Sequence, residues 1–335
     1  MTGADEGKAI AEFWAWWPSV ASALDQGLRA GNLGTELREL VANRIHAIHS
    51  RLDWGLSPGR QARHGLYLSA RGDLALRPVA ERWLEEAVAP TELWEFYAAR
   101  QPRAGDAREL TLGGHDLRLG ELSVKWSVDD SREVINLVVH HPRFRDLDEP
   151  HRAHVTFVAL DDLLGEDGVE LWLGTVELAT VQPAETRPLA ELRQAVVKLE
   201  QDATGERWVS RQGDVNGSPV VVTVNRAIKC ICHLALDQHA RVDIRLLEPN
   251  KLGLARGDES LELEKREAEL REELGDRAVF IGRETHRGHR VLHLHAADSE
   301  NVRNRIEAWK RRGPDRETAI LIQPDPRWEV LRRWG

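Results

Sequence analysis

The sequence predicts an α+β protein of two domains, on three observations. Residues 242–325 run strand, helix, strand, strand, helix, strand, read from apolar alternation and helical spacing. A chain of 335 residues with 41% hydrophobic content is long enough for two cores and too long for one compact α+β domain. The polar run Gln201-Asp-Ala-Thr-Gly205 lies between a helix and a fresh set of strands. It sets the boundary, with an N-terminal domain over 1–203 and a C-terminal one over 204–335.

The first helix spans 8–24 and carries Phe13, Trp14, Trp16 and Trp17 before Pro18, which ends or kinks it. Helical spacing places Phe13, Trp17 and Val20 on one side, as docking onto a core requires, so these aromatics read as packing and not as a stacking platform. A second helix, 35–49, is capped by Thr35 and lines up Leu37, Leu40, Val41, Ile45 and Ile48. Together they form a leading helical pair. Strands follow at 52–56 and 64–69, a helix at 76–87 and a strand at 93–97. Further strands at 109–112, 119–126 and 133–139 are separated by Gly113-Gly114 and Asp129-Asp130 turns. A helix at 150–164 ends at Gly165, a strand covers 169–178, and a helix at 189–200 completes the half. Residues 64–178 thus repeat the strand and helix order of the C-terminal half, and similar topology is expected.

In that C-terminal half a hairpin of 208–211 and 219–225 precedes the main unit and widens its sheet. The strand 242–247 leads to a charged helix, 261–274, whose narrow stripe of Leu263, Ala268, Leu270 and Leu274 stops at Gly275. A hairpin of 278–285 and 290–295 turns through 286–289, where Gly288 tolerates positive φ. Ser299 caps a helix to residue 312, and 318–323 is the last strand. This is the order of a split βαβ, or ferredoxin-like, domain with an added N-terminal hairpin. That architecture hosts many activities and specifies none.

Composition excludes several classes. A formal charge of −9 and a pI near 5.9 disfavour a nucleic-acid partner, which selects for a basic excess. No apolar run approaches the ~20 residues of a membrane span. The N-terminal thirty residues lack the features of a secretory signal, and two cysteines, Cys230 and Cys232, make no disulfide framework. A cytoplasmic protein without membrane contact is expected. There is no Gly-x-Ser-x-Gly, Walker loop, Gly-x-Gly-x-x-Gly or His-Glu-x-x-His motif, so no cofactor and no nucleophile is indicated.

The main candidate site is histidine-rich. If Arg287-Gly288 is a two-residue turn, His286 pairs with His289, Glu284 with Val291, Gly282 with His293 and Phe280 with His295. Ile281, Leu292 and Leu294 then face the helices. Glu284, His286, His289, His293 and His295 share the other face with Asp243 and Arg245 of the neighbouring strand. His289 and His293 lie about 13 Å apart along the strand at ~3.3 Å per residue, so the four histidines cannot share one ion, and no metal is expected. Either the face recognises a ligand or part of the chain covers it. Binding through exposed imidazoles would change between about pH 5.5 and 7.5. Three weaker clusters have plainer readings. Cys230-Ile-Cys-His233 reads as a buried cysteine pair in a strand, and Asp161, Asp162, Glu166, Asp167 and Glu170 as solvated acids. His140-His-Pro142 with Arg143 and Arg145 reads as an ordinary turn.

Trp208 through Gly217-Ser-Pro219, the helix acids near Glu264, Ile281-Gly-Arg-Glu-Thr285, Gly288-His-Arg290 and Asp325-Pro-Arg-Trp328 form a distributed pattern. It resembles the bacterial domain-of-unknown-function family 695 over about the last 130 residues. Phe13-Trp-Ala-Trp-Trp17 and the stretch 164–174 resemble a segment found in front of that domain in related bacterial proteins. The resemblance implies no catalytic residues. Similar domains sometimes accompany a ferredoxin-like regulator of ribonuclease E, which implies a regulatory role. The expected function is therefore a non-catalytic binding or regulatory module, acting on a protein partner or small ligand through a sheet face or the cleft between the halves. The alternatives are an enzyme or metalloprotein using the His/Glu face or that cleft, and third an RNA-binding regulator.

Overall fold

The structure, a computed structural model, describes residues 3–103, 109–203, 205–297, 299–313 and 316–334. It is α+β, and the chain divides into two compact units, Met1–Ala203 and Thr204–Gly335. No helix among the described residues is long and apolar enough to cross a membrane.

The N-terminal unit opens with three helices where the sequence suggests two. Pro18 has no N–H to continue the first helix, so a 3₁₀ turn at Trp17–Ser19 separates α1 (Gly3–Trp16) from α2 (Ala21–Arg29), and α3 (Gly34–Ile48) follows. Phe13, Trp17 and Val20 are buried as expected, in a core with Trp14, Ile45 and Trp83. Trp14 Nε1 donates to Trp83 O at 2.7 Å, which satisfies an indole that burial strips of water. That core is backed by β1 (Asp53–Pro58), β2 (His64–Ser69), α4 (Arg77–Glu85) and β3 (Trp94–Tyr97). β1 and β2 are antiparallel, and α4 is the crossover that makes β2 and β3 parallel.

A second core forms around β4 (Glu109–Leu112), β5 (His115–Arg118), β6 (Ser123–Asp129), β7 (Val134–His140), α5 (Glu149–Trp172), β8 (Leu173–Ala179), β9 (Arg187–Pro188) and α6 (Leu192–Asp202). Here the expectation of a topology like that of the C-terminal half fails. Residues 64–178 belong to two separate sheets, β1-β2-β3 and β8-β7-β6-β9, with β4-β5 a free-standing hairpin. After β3 the backbone leaves its sheet to meet α5, where Arg103 N donates to Asp162 O at 2.7 Å, and the start of β6 pairs with β9. A second correction concerns 169–172, expected as strand. The helix breaks at Gly165 (φ 77, ψ 161) and resumes to Trp172. Resuming it puts Glu166 and Glu170, one turn apart, beside the same buried arginine, Arg77.

The C-terminal unit contains β10 (Trp208–Val215), β11 (Ser218–Asn225), β12 (Gln238–Arg245), α7 (Gly257–Leu274), β13 (Ala278–His286), β14 (His289–Ala296), α8 (Ser299–Arg311), β15 (Thr318–Pro324) and α9 (Glu329–Trp334). One six-stranded antiparallel sheet runs β10-β11-β13-β14-β12-β15. α7 links β12 to β13 across the intervening β14, and α8 links β14 to β15 across β12. Both helices pack on one face, where Leu263, Leu270, Ile306 and Trp309 meet Val242, Phe280, Leu292 and Leu294. The β13-β14 turn is Arg287 (φ 50) and Gly288 (φ 80), the two positive φ values a tight hairpin wants.

The register of that hairpin departs from simple alternation at one residue. Pairing holds from His286↔His289 to Gly282↔His293, and then Phe280 pairs with Leu294 and Val279 with His295. Ile281 is the extra residue of a β-bulge. The expected Phe280 to His295 pair is therefore off by one, and Ile281 leaves the helix-covered face for a small cluster with Val224, Leu236 and Trp328. Gly282 sits beside the bulge, where a Cβ would collide with Thr223 O and lie 3.0 Å from Val224 Cα.

Candidate functional site

Alternation places His239, Arg241, Asp243 and Arg245 of β12, His289, His293 and His295 of β14, and Glu284 and His286 of β13 on the sheet face opposite α7 and α8. The structure divides this set into a sealed half and an open half.

The sealed half lies beneath the C-terminal segment. His239, His293 and His295 are 5%, 4% and 0% exposed. Trp328, itself 1% exposed and at φ 52, stacks on His295 with centroids 4.0 Å apart, and Trp334 stands edge-on to His293 at 4.8 Å. Asp325 holds the segment down from both ends. Its carboxylate accepts from Glu329 N at 3.0 and 3.1 Å, capping α9, and lies 3.4 Å from His295 Nε2. Burial opposes its charge, but His295 and the Glu329 N–H keep Asp325 below the usual carboxylate value. His295 Nδ1 donates to Leu236 O at 3.0 Å, because a carbonyl can only accept.

A row of polar contacts crosses from the sealed half to the open one. Glu284 Oε1 lies 3.6 Å from His293 Nε2, and His293 Nδ1 lies 3.0 Å from His239 Nε2. A carboxylate only accepts, so His293 turns Nε2–H toward Glu284 and its Nδ1 accepts from His239. His293 lowers Glu284, while burial lowers His293 in turn. Burial, with His293 and His295 close by, pushes His239 down to about 4. His239 is therefore a neutral ring at neutral pH.

The open half contains Glu284, His286, His289, Arg241, Asp243 and Arg245. Asp243 is its pivot. It accepts from His289 Nδ1 at 2.8 Å on one oxygen and from Arg241 Nη2 at 2.7 Å on the other, which fixes both side chains on rigid strands. His289 keeps 42% of its side-chain surface in solvent, and Leu321 of β15, opposite Arg241, is half exposed. Arg245 turns instead to Glu317, at 2.8 Å, outside the cluster. His286 pairs across β11 with Val220 and has a buried Nδ1 without a hydrogen-bond partner.

Of the seven sequence candidates, Asp243 and His289 are joined directly, Glu284 reaches His293, and His293 with His295 lies under the chain's own tail. Sequence reasoning missed His239, Arg241 and the covering residues Asp325, Trp328 and Trp334. The two on β12 were legible had that strand been started at Gln238, since both sit on the alternation of Asp243. The cover was not, because nothing local says where a six-residue helix will dock.

Of the three other clusters, the cysteines and the acids resolve differently from expectation and the 140–145 turn does not. Cys230 and Cys232 lie in a 3₁₀ turn, Cys230–His233, and not in a buried strand; Cys232 is exposed. The chain leaves β11 at Asn225, whose side chain accepts from Arg207 N and Ala227 N and bends it away from the sheet. His141 is fully buried, donating to Arg118 O at 3.1 Å and accepting from Arg143 N at 3.1 Å, so the 140–145 turn is structural. Of the acids of 161–170 only Asp167 is exposed, and the others are withdrawn from solvent in whole or in part. Glu166 is 5% exposed, and fully buried Arg77 contacts Asp167, lies 3.3 Å from Glu170 and donates to Ala98 O at 3.0 Å. Arg100 lies 3.6 Å from Asp161, and its N–H donates to Glu166 at 3.2 Å. Burial pushes both Asp161 and Glu170 up to about 7. This charged node joins the two cores of the N-terminal unit, because Arg77 lies on α4, whose Val79 and Trp83 belong to the first, and α5 contributes to the second. Among the described residues, no group of three or more His, Cys, Asp or Glu side chains is placed to hold a metal ion.

Residues 206–333 match the family model described as "Family of unknown function (DUF695)". No curated protein and no solved structure gives a significant match to the chain.

Proposed function

We propose that the C-terminal unit is a binding module that recognises a protein partner through the open half of its polar sheet face. The observation that carries this reading is the Arg241, Asp243, His289 chain. Three charged or polar groups are held by one another on adjacent strands, with part of their surface left to solvent. Fixed in this way, they lose little freedom on binding, which is where much of the cost of recognition lies. The surface is a strand face and not a concave pocket, which suits a macromolecule better than a small ligand. Its mixed signs, with Arg241 and Arg245 beside Asp243 and Glu284 and the apolar Leu321 at the edge, favour a partner of complementary mixed charge.

A photo-crosslinking residue at position 321, in cells expressing the full chain, tests this. A single partner should be captured from position 321 and not from exposed Val215, and its capture should fall in an Asp243→Ala variant that frees both Arg241 and His289. Equal capture from both positions, or capture indifferent to D243A, defeats the reading.

A further inference from the structure

β13 is bordered unevenly. From His286 to Gly282 it pairs with β11, whose register ends at Val224. Residues 278–280 pair with β14 on one side, and among the described residues no strand lies along their outer edge. The chain beyond Val224 is bent away at Asn225, so the sheet keeps a short open edge. An unpaired strand edge presents backbone donors and acceptors that another extended chain can satisfy.

A pocket of about 550 Å³ lies at this place, lined by Ala278, Val279 and Phe280 themselves. That volume falls within the ~300–1,000 Å³ of ordinary ligand sites. Alternation along β13 sends neighbouring side chains to both faces of the sheet, Phe280 to the cluster beneath the helices and Val279 to the opposite one. The pocket accordingly has two apolar walls, Leu274 with Phe280 on the helix side and Ile228 with Val279 on the other. A strand laid along the edge would direct successive side chains to alternate walls, and both walls are apolar. Arg271 stands on the helix wall. Its guanidinium lies 5.5 Å from Trp208 and 5.6 Å from Phe280 while it pairs with Glu206. A guanidinium has five N–H donors, enough for a second carboxylate.

We propose that this slot receives an extended segment of a partner protein, which adds as a strand to the outer edge of β13. The segment would carry two successive apolar side chains, one for each wall, with an acidic side chain placed toward Arg271. Strand addition gives affinity through the main chain and selectivity through the flanking pockets. The site is separate from the Arg241, Asp243, His289 surface and does not rest on it.

The probe is a phage-displayed library of random heptapeptides, selected on the full chain and counter-selected on Ile228→Trp, which fills the slot. Enriched peptides should share two adjacent apolar positions and an acidic one. Their affinity should fall at least about tenfold in I228W and on N-methylation of one alternate peptide amide, the loss of a single backbone bond at a pocket. Amide exchange in 278–280 should slow on binding, and D243A should leave binding unchanged. Ala227→Trp, on the rim, replaces I228W should that variant lower the unfolding midpoint. The proposal is overturned by no enrichment over the filled variant, by peptides indifferent to N-methylation, or by self-association of the chain that the filled variant abolishes, which would make a second copy the occupant.

Discussion

Burial holds the His239 imidazole down to about 4, well below its ordinary value of ~6.5, because charging it would strand a cation beside His293 and His295 and out of water. A depressed histidine contributes stability that is present above the unfolded value and lost as pH falls through the folded one. The C-terminal unit should therefore weaken between about pH 6.5 and 4, by up to roughly 3 kcal/mol from this group. A His239→Gln variant should show a flatter unfolding midpoint across that range, measured by denaturant titration; an undiminished slope would place the acid sensitivity elsewhere. The sealed half also explains why four histidines on one hairpin do not make one site. His295 and His293 pack beneath Trp328 and Trp334, one ring stacked and the other edge-on, while His289 keeps 42% of its side-chain surface in solvent.

At the scale of elements, two devices shape the fold. One is the bulge at Ile281, which lets Gly282 bring β13 against β11 without a side chain in the way. Gly282→Ala should push the β10-β11 hairpin off the sheet and cost about 1–3 kcal/mol, the range for overpacking. Loss of amide protection in β11 with β12 and β14 still protected would show it; uniform protection would refute it. The other device is the node of Arg77 with α5. A buried acid whose folded pKa is raised contributes stability that is complete below the unfolded value and is lost as pH rises through the folded one. Asp161 and Glu170, both raised to about 7, should make the N-terminal unit less stable as pH climbs from about 4 to 7. Asp161→Asn should remove part of that fall, as read from unfolding midpoints across the range. Arg77→Met leaves the carboxylates without their cation and should cost about 3–5 kcal/mol near pH 8 and less near pH 5, where the acids take up protons. A cost independent of pH would mean that packing alone sets it.

For the whole molecule, the His239 contribution falls on acidification in the C-terminal unit, while those of Asp161 and Glu170 fall on alkalinisation in the N-terminal one. Residues 205–335, which hold their own sheet, two covering helices and the family match, should express as a soluble fragment with one cooperative transition; aggregation or a gradual melt would show that the boundary is misplaced. Much of the C-terminal sheet was legible in the sequence because its information is local. The alternation of 242–247, the stripe of Leu263, Leu270 and Leu274, and the Arg287-Gly288 turn each specify an element from its own residues. The face carrying Asp243 and His289 was legible for the same reason, since alternation assigns faces without knowledge of partners. The bulge at Ile281, the helical turn at 169–172, the separate sheets of the N-terminal unit and the burial of Glu166 were decided by tertiary structure. In each, residues distant in the chain determine the outcome: Thr223 against Gly282, Arg77 against Glu166 and Glu170, β9 against β6. The tail that seals His293 and His295 is the clearest case, because α9 has too few residues to be stable alone and exists by packing Trp328 and Trp334 onto rings that lie 33 and 41 residues earlier in the sequence.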